Sequence, residues 1–328
     1  MKRNFWIVLV TVFAIGFYSC DEDDSPDKSV IATVSQGANY TNDIYYSLAN
    51  GIVAEVPRTN WDIAFSVDAM SSSILINDGA GVILKVYPTD AGWNWTDAID
   101  TTGYNEWDAL YNSNESWEEA AFSQNATGHP NYGWGEYNST THDVIGVAMY
   151  IIKLANGDLK RIYIENKSAT GQEYNFKYSD LDGTNEVSET ISFNGVTSNY
   201  IYYSLENEEV VTDREPDAST WDLLFTKYID NSIQYNVTGV KQNIGVQAIE
   251  EDDVLDLTLE TYLESEFSDD ITTIGSDWKD FDMGSFQYII DADRIYFVKD
   301  QNDIVYKIVF TGFEGSSTGN MTFEITAL

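Results

Sequence analysis

The strongest constraint on this chain is that it contains nearly the same message twice. Residues 44–48 read Ile-Tyr-Tyr-Ser-Leu, and residues 201–205 read Ile-Tyr-Tyr-Ser-Leu again. Trp61-Asp62-Ile63-Ala64-Phe65 is answered by Trp221-Asp222-Leu223-Leu224-Phe225. Ile76-Asn77 followed by Gly81-Val82 is matched with Tyr235-Asn236 followed by Gly239-Val240. Gly133-Trp134-Gly135-Glu136-Tyr137 faces Asp277-Trp278-Lys279-Asp280-Phe281, and Tyr150-Ile151-Ile152-Lys153 faces Tyr296-Phe297-Val298-Lys299. Last, Tyr174-Asn175-Phe176 faces Thr322-Phe323-Glu324. The order never changes, and the spacing shortens once, before Trp278, as one deletion in the second copy would make it do. Two copies are too few for a solenoid of stacked repeats, but each is of domain size. The expected organisation is therefore residues 37–186 and 187–328 as two tandem domains, each folding around its own core.

The local pattern is that of strands. Tyr150–Leu154 and Leu159–Ile164 flank Ala155-Asn156-Gly157-Asp158, a glycine-containing hairpin turn, and residues 294–299 and 304–310 repeat the arrangement. Tyr174, Phe176 and Tyr178 alternate on one face. Aromatic residues make up 14% of the chain, and many fall at repeat positions, which assigns them to strand cores rather than to a sugar-stacking surface. Helix is scarce. Residues 107–111 and 117–122 suit a turn or two, and residues 250–267 are the best helical segment. The predicted fold class is all-β, two antiparallel β domains with short helical insertions.

The N-terminus carries a different signal. Lys2 and Arg3 precede an apolar run from Phe5 to Tyr18, the length of a secretory leader and too short to span a bilayer. It ends in Phe17-Tyr18-Ser19-Cys20, which resembles a lipobox, and Cys20 is the only cysteine of the chain. Residues 1–19 are read as a lipoprotein signal peptide and Cys20 as the lipidated first residue. Acyl chains contribute about 0.8 kcal/mol per buried methylene, so two or three of them anchor stably. Residues 20–36, opening on Asp21-Glu22-Asp23-Asp24, are read as an acidic tether.

Charge and composition narrow the function. Asp+Glu total 54 against 17 Lys+Arg, a net charge of −37, which repels nucleic acid and anionic lipid headgroups. One cysteine excludes disulfides and cysteine-based zinc sites within the chain. With two histidines, a nucleophile–imidazole pair could use only His129 or His142. No nucleophile–base set can be named, so the chain is read as a binding protein rather than an enzyme. Asp180-Leu181-Asp182-Gly183-Thr184-Asn185-Glu186 has the acids and glycine of a calcium loop but not its spacing, and is read as a turn.

Taken in order, the repeated segments resemble the HmuY family, Bacteroidetes surface lipoproteins typified by members that capture haem. The resemblance covers both copies and is strongest at 201–225 and 278–324. The acids that follow Cys20 likewise resemble the surface-export signal of such lipoproteins. The resemblance implies an all-β fold, attachment to the outer membrane through lipid on Cys20, exposure at the cell surface, haem or a related tetrapyrrole as ligand, and delivery to an outer-membrane transporter. Haem-binding members hold iron with two axial His or Met side chains, one just after the Trp-x-[acid]-aromatic segment. Carried over, that position is Met283 in copy two and Ser139 in copy one, where His142 follows three residues later. His129 lies upstream but close to Trp134. The expected cofactor-binding residues are thus Met283, His142 and His129, with no complete axial pair in either copy. The other reading is a non-haem binding module for glycan or protein partners on the same scaffold.

Overall fold

The computed structural model describes residues 29–89 and 94–328. Cys20, the signal peptide and most of the expected tether lie outside the described residues. No helix among the described residues is long and apolar enough to cross a membrane.

The chain is built almost entirely of strands. In the first copy these are β1 (Val30–Ser35), β2 (Asn42–Ser47), β3 (Gly51–Pro57), β4 (Ile63–Ser66), β5 (Ile74–Ile76), β6 (Ile83–Val86), β7 (Gly135–Tyr137), β8 (Val144–Gly146), β9 (Met149–Lys153), β10 (Leu159–Ser168) and β11 (Glu173–Asp180). In the second copy they are β12 (Val187–Ser192), β13 (Tyr200–Ser204), β14 (Glu209–Val211), β15 (Leu223–Asp230), β16 (Tyr235–Gln242), β17 (Gln247–Glu251), β18 (Lys279–Asp282), β19 (Gln287–Ile290), β20 (Ile295–Lys299), β21 (Val305–Phe313) and β22 (Asn320–Ala327). The all-β expectation holds. Residues 250–267, expected to be helical, instead run from β17 into irregular chain with a single 3-10 turn at Glu264–Glu266. The reason is packing: Val254, Leu259, Tyr262 and Phe267 lie against Ile249, Ile295 and Phe297, so the segment straps the outer face of a sheet.

The sheets do not divide at residue 186. One unit stacks a sheet containing β6, β9, β10, β11 and β12 on the four-stranded sheet β14-β13-β4-β5. The other stacks β1-β22-β21-β20-β17 on β16-β15-β2-β3. The first three strands of each copy thus complete the unit built by the rest of the other copy. β4 pairs with β13, and β15 pairs with β2, in matching register: Phe65 opposes Ile201, and Phe225 opposes Ile44. β1, which the sequence placed in the tether, pairs along its whole length with β22, from Val30 against Ile325 to Ser35 against Asn320. One core accordingly runs from Ile63 to Leu205, while the other joins Val34, Ile44, Tyr46 and Leu48 to residues 223–325. We call these the first and second units.

The copies correspond in detail. Asp62 takes the amide of Leu205 at 2.7 Å, and Asp222 takes that of Leu48 at 2.7 Å. Asn77 donates to the carbonyl of Trp61 at 2.9 Å, and Asn243 donates to that of Trp221 at 2.7 Å. Asn77 therefore corresponds to Asn243, not to Asn236 as the sequence match had it, because both asparagines close the loop that ends the strand pairing with β4 or β15. Each unit has a bulge at the same place in its long strand, after Ile164 and after Phe310. Trp134 and Trp278 are both fully buried. Phe65 against Tyr174, with centroids 4.8 Å apart, and Phe225 against Phe323, at 5.6 Å, show the aromatics serving as core. Each such ring contributes roughly 1.5–3 kcal/mol of burial.

Candidate functional site

The residues expected to bind fall at one corner of each unit, around the short hairpin that follows the buried tryptophan. In the first unit this hairpin is β7–β8. Glycines allow it to sit tight: a Cβ on Gly146 would lie 1.8 Å from the carbonyl oxygen of Ile164. Asn138 shapes its turn by accepting from the amide of Thr140 at 2.9 Å and, through its carbonyl, from that of His142 at 2.8 Å. His142 is thereby held in a left-handed conformation, φ 65°.

The only two histidines of the chain meet here. His142 Nδ1 makes a short hydrogen bond with the Tyr137 hydroxyl, and His129 Nδ1 lies 3.3 Å from the Tyr132 hydroxyl. The Tyr137 ring lies between them, with centroids 5.0 Å from His129 and 5.9 Å from His142. Engaging Nδ1 orients each ring and leaves Nε2 as the ligating nitrogen.

Beside His142 opens a cavity of about 300 Å³ lined by Met70, Tyr132, Tyr137, His142, Lys167 and Phe193 among others. His129 does not line it. Met70 projects from the β4–β5 loop, 89% exposed, with its amide on Asp68 Oδ1 at 2.7 Å. Lys167 secures that loop: its buried ammonium donates to the carbonyls of Asp68, at 2.5 Å, Ala69, at 3.3 Å, and Ser71. Burial pushes the Lys167 pKa down to about 8, so the ammonium keeps its charge at neutral pH. Trp134 adds a second tie, its Nε1 donating to the Ser72 carbonyl at 2.9 Å. The arrangement offers an imidazole and a thioether, two ligands suited to haem iron, between aromatic walls.

The corresponding corner of the second unit has different chemistry. β18–β19 is again joined by a six-residue connection measured from Phe281 to Tyr288, as β7–β8 is from Tyr137 to Val144. The residue standing where His142 stands is Phe286, also left-handed at φ 56°. Past the bulge, Phe313 stands where Lys167 stands. Met283 is 71% exposed on this turn and lines none of the second corner's cavity. Met283 and the two histidines are thus in different units, and the structure does not bring them together.

Met70 was missed by the sequence reading. Its only signal was a large apolar residue in the polar stretch Asp68-Ala69-Met70-Ser71-Ser72-Ser73. The stretch 180–186 is a hairpin turn, with Thr184 Oγ1 on Asp182 at 2.6 Å and Asn185 on Asp180 at 2.7 Å. No group of three or more His, Cys, Asp or Glu able to hold a metal ion occurs among the described residues.

The chain matches no protein-family model and no curated protein. Among solved structures it is similar to a candidate lipoprotein from Bacteroides fragilis, at 15% identity over 59% of this chain and 95% of that one, TM-score 0.23. It is also similar to a candidate HmuY-like heme-binding protein from Bacteroides vulgatus, at 13% identity over 58% of this chain and 93% of that one, TM-score 0.23.

Proposed function

We propose that this chain is a non-enzymatic, lipid-anchored surface protein that captures haem or a related tetrapyrrole in the first-unit cleft and passes it to an outer-membrane transporter. The observation that carries the reading is the cleft itself: His142, its Nδ1 already engaged by Tyr137, and Met70 line one cavity with Tyr132 and Phe193. His142 Nε2 and the Met70 thioether are the groups that would hold the haem iron. A bound haem would supply the iron that these two groups ligate. The rest is done by the protein: Tyr137 orients the imidazole, Lys167 holds the Met70 loop, and the rings cover the apolar faces of the ligand. At about 300 Å³ the cleft is at the small end of ligand sites, so the polar edge of a macrocycle would stay in solvent. That position suits the propionates, because the acidic surface offers few cations to receive them. The outer membrane, the lipid on Cys20 and the transporter belong to the proposal through the sequence signals at 1–24.

Titration of the purified protein with haemin tests it. The expected result is a shifted Soret band saturating at one haem per chain, with His142→Ala and Met70→Ala each changing the spectrum. No shift, or unspecific binding that both variants leave unchanged, sinks the haem reading.

A further inference from the structure

The second corner carries a feature that haem capture does not use. Its cavity, about 410 Å³, is lined by Phe281, Phe286, Tyr288, Phe313 and Glu314 together with the turn 315–317. The rings stand edge to face: Phe281 and Tyr288 are 5.1 Å apart at 63°, and Tyr288 and Phe313 are 4.6 Å apart at 73°. The turn closes one side because Gly315, φ 64°, has no side chain; a Cβ there would lie 3.1 Å from Tyr288 Cε2.

Phe286 is costly at its position twice over. It is 74% exposed, and it adopts a left-handed backbone that bulky residues rarely occupy. With most of its surface in water, a phenylalanine there contributes little to folding, whereas glycine or asparagine would relieve both costs. Phe281 is 45% exposed beside it. A ring held in water at a backbone cost is one whose benefit comes on binding.

The surrounding charge selects what binds. Glu314 is exposed, and its Oε2 is held in place by Thr318 at 2.7 Å and Asn320 at 2.8 Å. Asp280 and Asp282 flank Phe281 in the strand and so point to the opposite face of the hairpin, where Asp282 accepts from the amides of Gly284 and Ser285, which leaves Glu314 as the carboxylate at the rim. No basic side chain lines the cavity. Lys279 is buried, donating to the carbonyls of Thr238 at 2.7 Å and Ser276 at 3.1 Å, and lies across the Phe313 ring at 5.1 Å. Ring faces are electronegative, and with a carboxylate at the rim they favour a cation, above all a flat guanidinium that stacks as well as pairs. A net charge of −37 adds to the preference and disfavours anions.

We propose that this corner is a second binding site, for an arginine side chain on a basic segment of a partner protein. It stands independently of the haem reading. The test is titration of the protein with the capped peptide Gly-Arg-Gly-Arg-Gly, followed by backbone NMR. Expected are saturable shifts confined to residues 281–288 and 313–317, and about tenfold weaker binding in Phe286→Ala and in Phe281→Ala. Glu314→Gln is expected to weaken binding several-fold. Phe286 is exposed, so its variant folds as the wild type does, which keeps the test sharp. Equal affinity in both phenylalanine variants would mean attraction by net charge alone and overturn the proposal, as would shifts that map elsewhere. Shifts at these residues with a neutral oligosaccharide such as cellohexaose, and none with the peptide, would overturn it in favour of a glycan site.

Discussion

Tyr45 and Tyr202, the same residue in the two copies, meet hydroxyl to hydroxyl at 3.4 Å, one from each unit. Around them the contacts are reciprocal: Tyr45 packs edge-on to Trp221 with centroids 4.9 Å apart, and Tyr202 edge-on to Trp61 at 5.0 Å. The two units therefore share a packed and largely buried junction. Two further ties join the units. Arg214 pairs with Asp43 in a buried bridge, and Trp117 Nε1 donates to the Gln242 carbonyl at 2.8 Å.

Asp43→Asn should lower stability by about 3–5 kcal/mol, because it strands the buried Arg214 guanidinium without its counter-charge. Urea unfolding would measure it. Both units should melt in one transition, earlier than wild type. A loss under ~1 kcal/mol would mean that water reaches the pair.

Gly79→Ala should be as damaging. A Cβ there would lie 1.9 Å from the carbonyl oxygen of Lys227 on the other unit, so backbone must move. We expect more than about 2 kcal/mol lost, read as a fall in melting temperature, since strain of this kind is among the few large single-residue effects.

Asp62→Ala and Asp222→Ala should cost similar amounts, about 1.5–3 kcal/mol each, because each removes one carboxylate from equivalent backbone amides. Unequal losses, measured by the same unfolding curves, would argue against equivalence of the two junctions.

Stability should fall as pH rises from about 4.5 through 7. Burial pushes the Glu215 carboxyl up to about 7, with Asn199 N, Tyr200 N and Tyr202 Oη hydrogen bonds opposing the shift. Folding thus favours its protonated form; that contribution is complete below the unfolded value and is lost through about 7. Asp78, raised to about 6, and Glu250, raised to about 7, act in the same direction. Glu215→Gln should flatten the decline, an effect on the order of 3 kcal/mol, when melting temperature is followed from pH 4 to 8.

Haem affinity should drop by an order of magnitude or more in His142→Ala and Met70→Ala, and stay unchanged in Met283→Ala, because Met283 lines neither cavity. Tyr137→Phe should bind more weakly than wild type but better than His142→Ala, since it frees the imidazole without removing it. Absorbance titration with haemin reads all four.

Much of the fold could be read from the residues. Alternation placed Tyr174, Phe176 and Tyr178 on one buried face, and Asn156-Gly157 marked a real hairpin. The strap at 252–267 could not be read, because its apolar residues answer to a sheet face that local pattern does not contain. The site was half legible. His129 and His142 stood out as the only imidazoles, and they do converge on Tyr137. Met70 and Lys167 are distant in sequence and meet only because a bulge in β10 turns Lys167 towards the β4–β5 loop.

The sequence alone determined that one strand pattern is used twice and that its aromatics form cores. Periodicity and repetition are local properties, and they survive whatever the chain does at long range. Only the tertiary structure decided which copy completes which core. The hairpins of the two copies present the same motif, Ile-Tyr-Tyr-Ser-Leu, to the same Trp-Asp partner, so each edge fits its own copy and the other equally well by local pairing. The choice rests on features that are not repeated: the Arg214–Asp43 bridge, with Tyr200 where a second Asp43 would stand, and the close passage of Gly79 beneath Lys227. Such contacts join residues far apart in the chain, and no pattern within either copy records them.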